Sequence, residues 1–423
     1  MEHTLRTPRR TVRQGSPAIG IIIGILAIAV LFACGSKSGG SAPVAPFPGQ
    51  LVSWTQAGSF DAATLNLGLS LLGISGLTAT SGAACYKLTY ETPDAAGSLI
   101  HASGLVCLPT TRSTNRPVIS YQHGTIFLES DAPSHLLTSP EGLIGAALAG
   151  MGFISVLPDY LGFGDSTGML HPYLHAETLA SATVNMNRAA RAFFTVINAS
   201  SNGQLFLAGY SEGGYATLAT QRLMEQSLSS EFPVTASEPG DGPYDLTGTA
   251  AYVVGLLNQV EPAFTAFFLK AYDSLYNNPS QIAYYFSSAY VTVVNTYFNG
   301  THSRSQISNA LGGPGVATTT LLDSVFVTSY LGLGEGSLKS HIAENDIYNW
   351  APAVTTRLFH GTGDDIVPYA NATTTKTAMT NNGSTTVTIV NCDAGTLPTT
   401  HDNCALPYAV DAISFFITQA TGL

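Results

Sequence analysis

Gly209-Tyr210-Ser211-Glu212-Gly213 constrains this chain more than any other stretch. An apolar run, Leu205-Phe206-Leu207-Ala208, precedes it, and a helix-forming run from Tyr215 to Gln226 follows. Strand, tight turn and helix, with a serine at the apex, read together as a nucleophile elbow. The turn is so sharp that side chains two residues either side of the serine would clash, and glycine at both places relieves the clash. The Ser211 hydroxyl then stands clear above a sheet, and the backbone N–H of Glu212 opens the helix. Helix N-termini stabilise negative charge, so that N–H is a candidate donor to an oxyanion. The competing account is a glycine-rich turn with an incidental serine, and the downstream partners weigh against it.

A serine hydroxyl is a weak nucleophile and needs a base, itself oriented by a carboxylate. Val354 to Phe359 reads as a strand that runs into His360-Gly361-Thr362-Gly363-Asp364-Asp365-Ile366-Val367-Pro368. A carboxylate on the loop leaving a strand is where the orienting acid belongs. Asp364 is the choice and Asp365 the alternative, because the stretch resembles the His-Gly-x-x-Asp-x-x-Val-Pro pattern of many α/β-hydrolases. A further strand, Thr385 to Val390, leads through Asn391-Cys392-Asp393 to Thr399-Thr400-His401-Asp402-Asn403-Cys404, with a helix expected from about Pro407. His401 is the only histidine C-terminal to the two aspartates and is expected on the loop after the last strand, where the base belongs. The order Ser211, Asp364, His401 is the order of α/β-hydrolases. His123 and His360, in His-Gly dipeptides at strand ends, read as structural histidines instead.

The second oxyanion donor should come from the loop after an earlier strand. Arg116 to Tyr121 is such a strand, and Gln122-His123-Gly124-Thr125 follows it, so the N–H of Thr125 is the second candidate. The apolar strand ending at Pro158 runs into Asp159-Tyr160-Leu161-Gly162-Phe163-Gly164-Asp165-Ser166. This is no dinucleotide fingerprint, since the third glycine, Gly168, falls one residue too late for Gly-x-Gly-x-x-Gly. It resembles a structural turn that flanks the site in α/β-hydrolases. Together with Ser120-Tyr121-Gln122-His123-Gly124, Gly209 to Gly214 and Gly242-Pro243-Tyr244-Asp245-Leu246, these motifs make the chain similar to the secretory, lipase-A-like branch of that superfamily over roughly residues 85 to 410. The resemblance implies an α/β fold: a mostly parallel central sheet flanked by helices, with a helical cap inserted. It also implies cleavage of carboxylic esters, small-molecule or lipid, with no cofactor and no metal. The His-Gly-Thr turn also occurs in prolyl-oligopeptidase-like peptidases, and it leaves the substrate class open.

Of the 423 residues 45% are hydrophobic and only 10% charged, enough for a large core. Arg6, Arg9, Arg10 and Arg13 precede an apolar stretch from Ala18 to Ala33, the pattern of an export signal over residues 1–33. Leu31-Phe32-Ala33-Cys34 resembles a bacterial lipobox, which would lipidate Cys34; a signal anchor or plain cleavage nearby is the alternative. Residues 34–50, rich in Gly, Ser, Ala and Pro, read as a flexible tether. The expectation is an exported envelope lipoprotein or secreted enzyme that meets the membrane only through its lipid. Without residues 1–33, which hold four arginines and one glutamate, the formal charge falls from −11 to −14. Nothing in the chain supplies a basic stripe for nucleic acid.

An exported protein permits disulfides. Cys85 and Cys107 are equidistant from Ala96, so a hairpin turning at Pro93 to Gly97 would set them opposite each other. Cys392 and Cys404 bracket His401 and are paired likewise. There is no Cys-x-x-Cys and no histidine cluster to suggest structural zinc. The hydrolase core is then residues 51–244 and 351–423, and the cap residues 245–350. In the cap Phe264, Phe267, Phe268, Tyr272, Leu275 and Tyr276 fall mostly at helical spacing, and Asn277-Asn278-Pro279 separates that helix from the next. Most of these aromatics should pack a core, and a few should line a substrate pocket. A peptidase is the rival, disfavoured because only about Leu51 to Gly82 precedes the first hairpin, where such enzymes carry a large β-rich domain. A non-catalytic binding protein on the same fold is the third possibility.

Overall fold

The computed structural model describes residues 45–277, 279–392 and 399–423. Every element described belongs to one compact unit within Cys34–Leu423. The proposed signal, Cys34 and most of the tether lie outside the described residues.

Nine strands form one sheet: β1 (Leu51–Phe60), β2 (Ala83–Pro93), β3 (Leu99–Pro109), β4 (Arg116–Gln122), β5 (Ile154–Pro158), β6 (Ser201–Tyr210), β7 (Ala236–Gly240), β8 (Thr355–His360) and β9 (Val387–Asn391). Their spatial order is β1-β2-β3-β5-β4-β6-β7-β8-β9. The first three strands are antiparallel, and from β5 to β9 the neighbours run parallel. Strands β4 and β5 are buried along their whole length, as parallel strands covered on both faces must be. The covering helices include α1 (Ala62–Leu71), α2 (Pro140–Gly150), α3 (Ala176–Val196) and α4 (Glu212–Ser227). Strand β4 has β5 on one side and β6 on the other. The chain therefore changes direction across the sheet there, and a crevice opens beyond the carboxyl ends of the strands at such a switch point.

The hairpin of β2 and β3 turns where Asp94 Oδ1 accepts from the N–H groups of Ala96 and Ser98, both at 2.9 Å. Its register sets Cys85 opposite Cys107, and the two are joined as a disulfide. Cys392 and Cys404 form the second. Both bridges lie in one buried apolar cluster.

Among the described residues eight helices stand between β7 and β8: α5 (Leu246–Gly255), α6 (Pro262–Tyr276), α7 (Ile282–Tyr285), α8 (Val291–Thr296), α9 (Arg304–Ala310), α10 (Thr318–Leu321), α11 (Ser324–Leu331) and α12 (Gly336–Glu344). Phe267, Tyr272, Phe286 and Phe326 of this insertion share one apolar cluster with Tyr215 and Leu218 of α4. The insertion is thus packed directly onto the helix that follows the elbow. After β8 come α13 (Ala370–Asn381) and, after β9, α14 (His401–Gln419).

The start of α14 corrects the sequence expectation. The helix opens at His401 rather than near Pro407, which lies inside it. Proline in a helix interior costs roughly 3 kcal/mol. Here the first turn is pinned from outside: Cys404 is bonded to Cys392, and the His401 ring and carbonyl both have tertiary partners. His401 therefore heads a helix and does not ride on a loop. Among the described residues no helix is long and apolar enough to cross a membrane.

Candidate active site

Ser211 sits between β6 and α4 with φ 61° and ψ −121°, a left-handed backbone that a serine rarely adopts. The turn is held from both sides. A Cβ on Gly209 would overlap the carbonyl oxygens of Gly213 and Gln122, and one on Gly213 would overlap those of Gln122 and His123. Tyr408 of α14 accepts a hydrogen bond from Gly209 N–H and donates one to the Glu238 carbonyl, each 2.6 Å long, and so ties the last helix to the elbow strand.

Three sequence-predicted residues meet at this turn. Ser211 Oγ lies 2.8 Å from His401 Nε2, and His401 Nδ1 lies 2.7 Å from Asp364 Oδ2. The other oxygen of Asp364 accepts from the N–H groups of Ile366 and Val367, both at 2.8 Å. Asp365, the alternative acid, bonds to backbone instead: its Oδ1 accepts the main-chain N–H of His401 at 3.3 Å. Burial pushes the His401 pKa down, but the charge and hydrogen bond of Asp364, with Asp402 behind them, raise it above the ordinary value.

The oxyanion candidates flank the serine. Glu212 is the first residue of α4, so its N–H has no partner one turn back in that helix. The loop after β4 passes close on the other side: a Cβ on Gly124 would lie 3.2 Å from the Tyr210 carbonyl oxygen and 4.0 Å from Ser211 Cβ. Thr125, the next residue, bonds through Oγ1 to the Tyr173 hydroxyl at 3.0 Å. The histidines read as structural are buried and bonded to backbone: His123 Nε2 is 3.1 Å from the Asp159 carbonyl, and His360 Nε2 donates to the Val367 carbonyl at 2.9 Å.

Asp241 was not foreseen. It leaves β7, is fully buried, and bonds through Oδ2 to the Tyr210 hydroxyl and through Oδ1 to the Gly361 N–H at 3.0 Å. Tyr210 in turn donates to the His401 carbonyl at 2.6 Å. Burial raises the Asp241 pKa, although His360 and His401 oppose the rise. One hydroxyl proton cannot serve both an ionised Asp241 and a carbonyl, whereas a protonated Asp241 satisfies the whole chain. The signal was present in Glu238-Pro239-Gly240-Asp241, an acid directly after a strand, as Asp364 is. Asp241, Asp364 and His401 offer ligand atoms within 4.8 Å of one another, but the hydrogen bonds above already engage all three.

A pocket with an empty volume of about 900 Å³, part of it open to solvent, starts at Ser211 and Glu212 and runs into the insertion. Leu246, Val254, Phe264, Phe268, Tyr330 and Ile342 are among its walls. Of the insertion aromatics, then, Phe264, Phe268 and Tyr330 face the pocket. Phe267 instead stacks on Tyr173 at 4.8 Å and packs against Phe127 at 5.3 Å.

The Cys392–Cys404 bridge holds the first turn of α14 to the end of β9, one helical turn from His401. Replacing both cysteines by serine should cost about 2–4 kcal/mol of stability. It should also slow ester hydrolysis more than the same change at Cys85 and Cys107, which join β2 to β3 and not the helix that carries His401. Thermal melts and steady-state rates on the two double variants check this, and equal rate losses would break the link to His401.

This sheet, with its elbow serine and a hydrogen-bonded imidazole and carboxylate at the strands' carboxyl ends, defines an α/β-hydrolase. The secretory lipase family model matches residues 130–401, and the chain belongs to that family. A ligand-bound form of the rice cell wall degrading esterase LipA from Xanthomonas oryzae superimposes with a TM-score of 0.78 at 25% identity, over 89% of this chain and 99% of that one. Candida antarctica lipase A matches in fold, with a TM-score of 0.59 at 17% identity over 84% and 78% of the two chains. No curated protein matches the sequence. The protein is a carboxylic ester hydrolase.

Proposed function

We propose that Ser211, His401 and Asp364 form a catalytic triad and that ester cleavage passes through an acyl-enzyme on Ser211. The observation that carries this is the unbroken line from Ser211 Oγ through His401 to Asp364, with steps of 2.8 and 2.7 Å. His401 Nε2 takes the hydroxyl proton as Oγ attacks the carbonyl carbon. The carbonyl oxygen becomes an oxyanion held by the N–H groups of Glu212 and Thr125. Collapse breaks the C–O bond, and His401 returns the proton to the departing alcohol. Water then repeats the cycle on the acyl-enzyme and releases the acid. Asp364 fixes the Nδ1–H tautomer and stabilises the imidazolium.

His401 must be neutral to accept the proton. A pKa raised above the ordinary value of about 6.5 means that protonation sets in at higher pH. The acid limb of kcat/KM should therefore have its midpoint above that value, and Asp364→Asn should move it downward. A pH–rate profile of both proteins is the check.

The apolar pocket supports an acyl group running from Ser211 into the insertion, residues 245–350, which we read as a cap. Each methylene buried there is worth about 0.8 kcal/mol, roughly four-fold in rate constant ratio. p-Nitrophenyl esters from acetate to palmitate test this: octanoate should exceed acetate in kcat/KM, and a preference for acetate overturns the acyl assignment. We further propose export with removal of residues 1–33 and lipidation at Cys34, in keeping with the family and the two disulfides. Mass spectrometry of the mature N-terminus decides that point.

A further inference from the structure

A buried carboxylate stands where this reaction should tolerate it least. Glu212 follows the serine, and its side chain is 1% exposed in the wall of the pocket. Negative charge develops on the substrate oxygen beside its N–H, so an unpaired Glu212 anion would oppose the reaction. The carboxylate is paired instead. His171 Nε2 lies 2.7 Å from Glu212 Oε1, and the imidazole is itself 3% exposed.

The proton count closes the pair. His171 Nδ1 lies 2.6 Å from the Leu161 carbonyl, which can only accept, so Nδ1 carries a hydrogen. One proton must then lie between Nε2 and Glu212, and the pair is neutral as a unit whichever atom holds it. The ring is boxed by Phe163 at 5.1 Å, Tyr160 at 5.9 Å and Phe267 of α6 at 5.8 Å. Two residues on, the Tyr173 hydroxyl meets Thr125 Oγ1 at 3.0 Å. A single short segment, His171-Pro172-Tyr173, thus reaches both residues proposed to hold the oxyanion.

We infer that this segment braces the oxyanion site, with His171 as a positioning residue that neutralises Glu212 and fixes its N–H. The inference rests on the proposed roles of Ser211 and of the Glu212 N–H. It also gives the glycine turn before it a purpose: a Cβ on Gly162 would lie 2.6 Å from His171 Cα, so that turn lets the two backbones close up.

The test is a rescue. His171→Leu should lower kcat about 10- to 100-fold, short of the 10²–10³ that deleting an oxyanion donor costs, with KM within about three-fold. Adding Glu212→Gln to His171→Leu removes the stranded anion and should recover kcat at least about five-fold. A purely structural role predicts the opposite, since the double variant would be as slow as the single one or slower, and that result overturns the inference. So does a loss in the single variant that falls on KM alone. Should His171→Leu not fold, His171→Gln keeps an N–H near the Nε2 position without the charge, and its loss must likewise be reversed by Glu212→Gln. Ser211→Ala run alongside separates the two failures: full activity there sinks the triad itself, whereas an inactive Ser211→Ala with an unimpaired His171→Leu sinks only the brace.

Discussion

Ser211→Ala is expected to lower kcat/KM for a p-nitrophenyl ester by about 10⁵- to 10⁶-fold while leaving the fold intact. The change removes one oxygen atom. It leaves no cavity of consequence, because the hydroxyl points to the pocket and its partner, His401 Nε2, can take a water. Alanine keeps the Cβ, so the strained backbone at φ 61° is no worse for the substitution. What remains is the proposed oxyanion donors and the binding pocket, which can sustain a residual rate of about 10³–10⁴ over water. Steady-state kinetics with a thermal melt provide the check. A folded variant with more than about 1% of the parent rate would remove Ser211 from the chemistry.

Asp364→Asn should cost about 10⁴-fold in kcat. An asparagine can keep the bonds from the Ile366 and Val367 N–H groups through its carbonyl, so the loop should hold. Its amide, however, would donate toward His401 Nδ1. That leaves the ring in the wrong tautomer, with its hydrogen on Nε2 pointing at Ser211. Asp365→Asn should cost less than about ten-fold, because Asp365 bonds the main-chain N–H of His401 and not its ring. Asp241 is not expected to take over, since Tyr210 and Gly361 already occupy both of its oxygens. Comparing kcat for the two asparagine variants decides which aspartate orients the base. Equal losses would point to a shared role for the loop, and a mild loss at Asp364 would point to Asp241.

Features written in local spacing are legible in the sequence. The elbow is local because a turn that tight demands glycine at both flanks, and sequence neighbours state the demand. The Cys85–Cys107 pair could be counted from the centre of a hairpin, since strand register follows from where the chain turns. The choice of Asp364 over Asp365 came from a resemblance, and the geometry of the loop separates the two: one carboxylate faces the ring and the other the backbone. The start of α14 was misplaced because proline is a strong local signal, and the forces that override it lie elsewhere in the chain.

By itself, then, the sequence determined the strand–turn–helix around Ser211, the order of Ser211, Asp364 and His401 and the disulfide pairing, all matters of spacing along the chain, and through its resemblance it implied the α/β class. Only the tertiary structure decided what a buried charge is paired with. Glu212 and His171 are 41 residues apart and Tyr210 and Asp241 are 31, and neither pair carries a spacing that marks it. Tertiary structure likewise chose Phe264, Phe268 and Tyr330 for the pocket and left Phe267 to packing, although Phe264, Phe267 and Phe268 share one helix. Local pattern records which residues tend to be buried. Partner and facing are fixed by the sheet and the insertion closing on each other, because desolvated groups are stable only against complementary ones.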